Sequence, residues 1–402
     1  MERFTTCTQV QLMDMLKLYF GYDSFRYPQQ QIIESILTHK SCLAIMPTGS
    51  GKSLCFQMLS LLARHPIIVI SPLISLMDDQ VREAQSRGIK AVAIHSATKV
   101  NVKDFNHYQL IFCSPERFQS TNFKQRLLAC GLSLIVVDEA HCISRWGHEF
   151  RPAYQKIKKN LADFSSVNVL ALTATASGFV QKDIIKQLGI KRNATIFKSS
   201  LQRKNLFISL QKVDDKELYL MNHITQNQTS IVYTRSRSHT ESLATFLSKN
   251  GIKAKAFHAK LAAKMKQEVQ QSWFEGNTPC IVATNAFGMG INKSSVRQVF
   301  HYHIPDSIED YIQEIGRAGR DNKNARCQLL YTTKEVAQLK RSCKHPVSSL
   351  WNSYSRYKIG SRVRMLGLIT RNICRYRYLL DYFGEEMSHN CGTCDYCLSQ
   401  NK

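Results

Sequence analysis

Residues 41–63 read "SCLAIMPTGSGKSLCFQMLSLLA": an apolar run, a glycine-rich turn and a second apolar run. The first run is short and continuous, which predicts a strand buried on both faces. The second, with Leu54, Met58, Leu61 and Leu62 on one side, predicts a helix. Between them, Thr48, Gly49, Ser50, Gly51, Lys52 and Ser53 form a phosphate-binding loop. Its glycines let backbone N–H groups close around phosphates, and the helix N-terminus adds its dipole. In that reading Lys52 reaches the β and γ phosphates of ATP and Ser53 holds Mg²⁺. The strict pattern has glycine at position 46, where this chain has Met46. An ordinary strand-to-helix turn is the alternative.

The same rhythm continues along the chain. Continuous β-branched runs recur at "IIVISPL" (67–73), "LIFCSPE" (110–116), "LSLIVVDEA" (132–140) and "VLALTAT" (169–175). Continuous rather than alternating apolarity indicates parallel strands covered on both faces. The rhythm pauses around "SSLQRKNLF" (199–207) and resumes with "TSIVYTR", "KAKAFHA", "CIVATNA", "VFHYHIP" and "CQLLYTT". The fold class is therefore α/β, with two successive units expected at 1–200 and 201–335. A third segment, 336–402, differs in composition. Residues 336–380 hold ten Lys or Arg and no Asp or Glu, interleaved with Trp351, Tyr354, Tyr357, Tyr376 and Tyr378. That predicts a small, helical, strongly basic module.

Across the chain 54 Lys and Arg face 30 Asp and Glu, a net charge of +24. Such an excess points to a polyanion, most often nucleic acid, against the plainer reading of a merely soluble basic protein. Most of the 13 cysteines sit in apolar surroundings, as reduced thiols do. The start "MERFTTCTQ" lacks the apolar stretch of a signal peptide, and no run reaches the ~18 apolar residues of a membrane span. The expected location is intracellular, cytoplasmic at the nucleoid or nuclear, with no membrane partner.

Two further motifs carry chemistry. "LIVVDEAH" (134–141) is a buried strand that delivers Asp138 and Glu139 at its C-terminal end. Ligands of parallel sheets sit outside those ends, so Asp138 is the Mg²⁺ partner and Glu139 the group that polarises the attacking water. "DYIQEIGRAGRD" (310–321) places Arg317 and Arg320 three apart beside two glycines. An arginine finger brought to the γ-phosphate is worth roughly 10³ to 10⁵ in rate. Arg320 is assigned that role and Arg317 a ground-state phosphate contact; a helix with a solvated basic face is the alternative.

With these residues the chain resembles the catalytic core of RecQ-type DNA helicases, superfamily 2 ATPases with two tandem RecA-like domains followed by a small helical zinc-binding subdomain. The resemblance runs from about residue 10 to the end. "LKLYFGYDSFRYPQQQII" resembles the family's adenine-reading motif, "MPTGSGKSLCFQ" its P-loop, "SPLISLMDDQV" and "CSPERF" its DNA-backbone motifs, and "ALTATA" its coupling motif. "VATNAFGMGINK" and "YIQEIGRAGRD" resemble motifs of the second domain. Met46 is ordinary within the family. The resemblance implies that Arg26, Gln29 and Gln313 contact the nucleotide and that His141 joins the catalytic group.

"HCISRWGHEFRPAY" (141–154) resembles the family's aromatic-rich loop, which senses single-stranded DNA. Trp146 and Phe150 offer faces for base stacking, worth roughly 1–3 kcal/mol per base. Arg145, His148 and Arg151 complete the DNA-binding set; Trp and Phe as core residues of a turn are the alternative. The chain departs from the common pattern in places. Pro28 is displaced by one residue, so Gln30 competes with Gln29 as adenine reader. Arg145 replaces a usual glutamine, Lys260 a usual glycine, and Asn322 another glycine.

Cys374, Cys391, Cys394 and Cys397 are spaced x16, x2, x2. Close C-x-x-C pairs let thiolates share one tetrahedral Zn²⁺, and the family's zinc subdomain has this arrangement. An iron–sulfur cluster is the competitor, with His389 as a substitute ligand. The clip is expected to close a module with little core of its own, leaving both sheets independent of it. Many family members continue into a winged helix. This chain ends at the clip, which leads to the expectation that forked substrates open better than blunt duplexes.

The function expected is an ATP-dependent 3′ to 5′ DNA helicase acting in repair and recombination, with ATP, Mg²⁺ and Zn²⁺ as cofactors. Its expected partners are single-stranded and forked DNA, with single-strand-binding or recombination proteins as candidates and a monomer as the oligomeric state. A DNA-stimulated translocase or annealing factor is the rival within the enzyme class, and an RNA helicase a weaker one. A non-catalytic zinc-dependent scaffold is the rival outside it.

Overall fold

Among the described residues thirteen strands form two parallel sheets, and ten of them are the apolar runs of the sequence. The computed structural model describes residues 2–95, 104–144, 151–190, 194–285, 287, 293–344 and 353–400. The chain divides into two compact units, residues 1–200 and 201–402. The first holds β1 (Cys42–Ile45), β2 (Ile67–Ile70), β3 (Ala91–Ile94), β4 (Leu110–Cys113), β5 (Leu134–Val137), β6 (Asn168–Thr173) and β7 (Thr195–Lys198), in the order β3-β4-β2-β5-β6-β1-β7. The second holds β8 (Leu206–Lys212), β9 (Thr229–Tyr233), β10 (Ala254–Phe257), β11 (Cys280–Ala283), β12 (Val296–His301) and β13 (Ala325–Tyr331), in the order β10-β11-β9-β12-β13-β8.

Both faces of each sheet are covered, which is why the runs are continuous. In the first, Leu43, Ile45, Ile135 and Val137 enter one core, while Cys42, Ala44, Leu134 and Val136 enter the other. In the second, Ile231, Ile281 and Val299 point one way and Val232, Val282 and Phe300 the other. Successive side chains of a strand alternate faces, so a strand between two cores needs apolar residues at every position. β3, β7 and β8 lie outside the quoted runs, and each is an edge strand; β7 is largely exposed and β3 is buried at its two ends only.

Two expectations change. The helix Lys52–Leu62 is buried nearly all round rather than along one stripe, Phe56, Gln57 and Ser60 included. Residues of helices Gln9–Phe20 and Gln29–Leu37 share its core, and Gln29–Leu37 packs directly on it. The basic module, in turn, does not stand apart from the second sheet. Its helices Ser353–Thr370 and Arg375–Tyr382, with Phe383 just beyond, bring Met365, Leu368, Ile369, Tyr376, Leu379, Leu380 and Phe383 into one core with Leu206, Ile208, Val299, Tyr311 and Leu329; helix Thr333–Cys343 packs Val336 and Leu339 against it and helix Asp395–Gln400 adds Cys397. Asp395 seals the join, accepting the Leu210 backbone N–H at 2.9 Å while pairing with Arg375 at 2.8 Å. The module shares its core with the sheet, where a module with little core of its own was expected, and this argues against a sheet independent of the clip. Among the described residues no helix is long and apolar enough to cross a membrane.

Candidate functional site

The first unit places its chemistry at the C-terminal ends of β1, β5 and β6, three neighbouring strands. β1 runs into the glycine-rich turn, where Gly49 and Gly51 take φ of 82° and 85°. Only glycine adopts that backbone without strain. Gly51 also has a near neighbour: a Cβ there would fall 2.5 Å from Gln29 Nε2. Buried Gln29 spans the loop, donating to Ser50 O at 3.1 Å and Gly51 O at 3.2 Å and accepting the Arg26 N–H at 2.9 Å. Arg26 itself is exposed. Gln29, Arg26 and Ser53 line a cavity of about 110 Å³ with Phe20, Gln57 and Arg87. Arg87 is held over the Phe20 ring at 5.0 Å and bonded to Gln57 at 2.7 Å. Thr48 and Ser50 flank the turn, and Ser50 Oγ donates back to Pro47 O at 2.6 Å.

Lys52 begins the following helix and donates to Met46 O at 3.2 Å. Met46 N–H in turn bonds Thr173 O at 2.9 Å, so the turn is tied to the end of β6. Asp138, 5% exposed, follows β5 and accepts the Glu139 N–H at 3.0 Å. Burial first, and then the Glu139 charge, push its carboxyl up to about 7, with the Lys52 charge opposing. Glu139 adopts a left-handed backbone, φ 46°, uncommon for a residue with a side chain. Its Oε2 lies 3.3 Å from His141 Nδ1, which is also 2.9 Å from Thr173 Oγ1. One buried imidazole thus joins the end of β5 to the end of β6. The carboxylates and Lys52 fit a divalent cation with a polyphosphate: buried like charges that raise a carboxyl pKa are relieved by a metal ion.

Arg145, Trp146, His148 and Phe150 lie outside the described residues. Both flanks of their segment are anchored: Ser144 Oγ donates to Asp183 at 2.6 Å, and Arg151 donates to Pro72 O at 2.7 Å. Pro72 belongs to "SPLISL", so Arg151 is tied to one of the stretches read as DNA-backbone motifs.

In the second unit, helix Ile308–Ile315 carries Gln313, 7% exposed, and leads directly into Arg317 and Arg320. Arg317 is buried, and its Nε has no hydrogen-bond partner among the described residues. Arg320 is half-buried; burial first, and then the charges of Arg317 and Arg203, bring its pKa down to about 9. Sequence reading missed Arg203 and Asn205, which donate to the Gly319 carbonyl between these arginines. They sit in the pause between the two rhythms, where no motif marked them.

The four predicted cysteines converge, all Sγ atoms lying within 4.8 Å of one another. Individual separations are 3.5 Å (Cys394–Cys397), 3.7 Å (Cys391–Cys397) and 4.0 Å (Cys374–Cys394). A tetrahedron of sulfurs about 2.3 Å from zinc has edges of about 3.8 Å. Backbone N–H groups of Arg375, Cys391 and Thr393 donate to Cys394, Cys374 and Cys391 at 3.3–3.4 Å. A hydrogen bond from Cys394 holds the Cys391 thiol below its usual range, and the same contact pushes Cys394 up, so the thiols share charge among themselves. N–H donors aimed at sulfur favour thiolates, so the set fits Zn²⁺. His389 is not part of the cluster.

Three family descriptions match in succession: DEAD/DEAH box helicase over residues 26–184, helicase conserved C-terminal domain over 212–322, and RecQ zinc-binding over 333–398. The ATP-dependent DNA helicase RecQ of Haemophilus influenzae is 36% identical over 97% of this chain and 64% of its own length. A putative ATP-dependent RNA helicase of Acanthamoeba polyphaga mimivirus is 35% identical over 97% of this chain and 72% of its own. Among solved structures, Dbp5 of S. cerevisiae bound to RNA and ADP BeF3 superposes with a TM-score of 0.65 at 16% identity, covering 88% of this chain and 91% of that one, a likeness of fold. The chain spans 62–66% of the length of the RecQ relatives it matches from H. influenzae, Pasteurella multocida and Bacillus subtilis. With two RecA-like sheets, the DEAH segment at the end of β5 and a four-cysteine clip in the RecQ zinc-binding segment, the chain belongs to the RecQ-type helicase family.

Proposed function

We propose that the chain is an ATP-dependent 3′ to 5′ DNA helicase that couples hydrolysis to movement along single-stranded DNA, in repair and recombination. The observation that carries this reading is the convergence of the glycine-rich turn, Lys52, Asp138, Glu139 and His141 at the ends of β1, β5 and β6. Polarity and biological setting come from the family. Segments 1–200, 201–335 and 336–402 serve as nucleotide-binding domain, arginine-bearing domain and zinc subdomain.

Lys52, which donates to the Met46 carbonyl, moves to a phosphate when one is bound, because an anion holds an ammonium more strongly than a neutral carbonyl does. Ser53 and Asp138 hold Mg²⁺, which when bound neutralises charge on the phosphates. Glu139 orients the attacking water, and His141 fixes the Glu139 carboxylate against Thr173. Gln29 and Arg26 face the nucleobase cavity, Gln313 and Arg317 bind the nucleotide from the second unit, and Arg320 supplies charge to the γ-phosphate. Arg145, Trp146, His148, Phe150 and Arg151 bind single-stranded DNA.

ATP turnover with single-stranded DNA, duplex DNA and RNA tests the reading. Strong stimulation by single-stranded DNA is expected. Stimulation by RNA alone, in keeping with the name of the mimivirus relative, would replace a DNA helicase by an RNA helicase. Turnover indifferent to all three would remove the helicase reading.

A further inference from the structure

The segment that carries Arg317 and Arg320 is gripped at both ends by side chains with no assigned role. Gly319, immediately before Arg320, has φ 54°, and its carbonyl accepts from Asn205 Nδ2 at 2.8 Å and from Arg203 Nη2. Asn205 Nδ2 also reaches Lys323 O at 2.9 Å, and Arg203 Nη2 reaches Ala318 O at 3.3 Å. The fit is close: a Cβ on Gly319 would fall 2.5 Å from Asn205 Nδ2 and 2.7 Å from Lys323 O.

Arg203 is itself held from the zinc module. Its backbone carbonyl accepts the Tyr376 hydroxyl at 2.7 Å. Tyr376 is buried in the first turn of helix Arg375–Tyr382, whose N-cap is the clip residue Cys374. The other end of the segment is held by the same helix. Buried Glu309, in the first turn of Ile308–Ile315, accepts the hydroxyl of Tyr382, with Tyr357 of helix Ser353–Thr370 donating at 3.4 Å.

We infer that Arg203 and Asn205 are positioning residues for Arg320, and that the zinc module sets their placement through the Tyr376 hydroxyl. The module thereby acts on the rate of hydrolysis and not only on DNA binding. This inference rests on Arg320 being the arginine finger. A finger acts in the transition state, where a displacement of about 1 Å is costly, so loosening its support lowers kcat and leaves ATP binding alone.

The test uses the full chain with zinc bound and saturating single-stranded DNA. Tyr376→Phe removes one hydroxyl and keeps the ring in the core; Asn205→Ala removes one donor to Gly319. Each is made in the wild type and in Arg320→Ala, with zinc content and melting temperature as controls. Expected is a fall in kcat of roughly threefold to tenfold, the range of one hydrogen bond, with KM for ATP within twofold. In the Arg320→Ala background the same substitutions should cost nothing further, because the group they position is gone.

If Arg320→Ala loses turnover while Tyr376→Phe and Asn205→Ala keep it, the inference is overturned and the finger assignment stands. An equal fold-loss in both backgrounds, or a rise in KM instead of a fall in kcat, assigns these contacts to general packing and also overturns it. Full turnover in Arg320→Ala overturns the finger and the inference together.

Discussion

Cys394→Ser should unfold more than the clip. Cys394 is fully buried, 3.5 Å from the Cys397 sulfur and 4.0 Å from that of Cys374, and it shares a core with the face of the second sheet that the basic module covers. Seven apolar side chains of the module, Met365, Leu368, Ile369, Tyr376, Leu379, Leu380 and Phe383, complete that core. At about 1.5–3 kcal/mol each, their burial is worth at most ~10–20 kcal/mol. Structural zinc contributes roughly 10–16 kcal/mol of apparent binding free energy, and a whole domain has only about 5–15 kcal/mol of net stability. Loss of the metal therefore threatens the second unit as a whole, while the first, residues 1–200, keeps both faces of its sheet covered. Elemental analysis should find zinc in the wild type and little in the variant. Limited proteolysis should then open residues 201–402 and spare 1–200, and the melting transition of the first unit should persist. Iron with sulfide in the wild type, or no metal, would refute the zinc assignment. Cleavage confined to 336–402, with β8 to β13 still protected, would refute the argument from a shared core.

Lys52→Ala and Glu139→Gln should each abolish turnover with the fold intact. The first should weaken ATP binding and the second largely spare it, as nucleotide titration and steady-state kinetics would show; near-normal turnover in Glu139→Gln would remove the carboxylate's role. For Asp138 the sign of the pH effect follows from a folded pKa of about 7, raised above the ordinary carboxylate value. The stability it contributes is present below about pH 4 and lost as pH rises through about 7. In metal-free protein the gain in melting temperature from Asp138→Asn should thus grow between those limits and level off above; a gain independent of pH would contradict the burial argument. DNA binding should weaken steeply with salt, with a log–log slope of about −0.7 per phosphate contact on single strands. A flat response in a fluorescence titration would mean that the net charge of +24 serves another purpose.

The parts that could be read in advance are those where one physical requirement writes a local pattern. A strand between two cores must be apolar throughout, so "LIVV" and "IIVI" announce themselves. A phosphate loop needs glycine where φ is positive, and Gly49 and Gly51 satisfy that. Four thiolates on one ion need the C-x-x-C spacing. What stayed hidden is set by contacts between distant residues or by faces left uncovered. β7 is an edge strand with no apolar run to mark it. Arg203 and Asn205 meet Gly319 across 116 and 114 residues of chain, and nothing local in "QRKN" foretells it. Gln29 was placed in the right motif, yet its use on the carbonyls of Ser50 and Gly51 depends on how helix Gln29–Leu37 packs on Lys52–Leu62. The core that the basic module shares with the second sheet stayed hidden for a related reason: composition marks where a basic module begins, but not whose core it shares.

Each unit also holds an electrostatic arrangement that costs stability by itself, and the two have opposite sign. In the first, Asp138 and Glu139 are adjacent carboxylates in a largely buried site, and the consequence is an Asp138 pKa raised to about 7. In the second, burial first, and then the neighbouring charges of Arg317 and Arg203, bring the pKa of Arg320 down to about 9, and Arg317 Nε is buried without an acceptor among the described residues. A fold selected for stability alone would separate such like charges, so their retention points to ligands that relieve them. Carboxylates are relieved by a cation and guanidinium groups by a polyanion. Magnesium bound to a nucleoside triphosphate is one species that carries both. The proposed ATPase reading therefore requires that Mg²⁺ with a non-hydrolysable ATP analogue stabilise both units. Removing either charge set, by Asp138→Asn or by Arg317→Ala with Arg320→Ala, should raise the stability of the ligand-free unit that carries it while reducing the stabilisation the ligand provides. If ligand-free stability falls in both variants, these clusters are structural ion networks rather than sites held ready for a ligand.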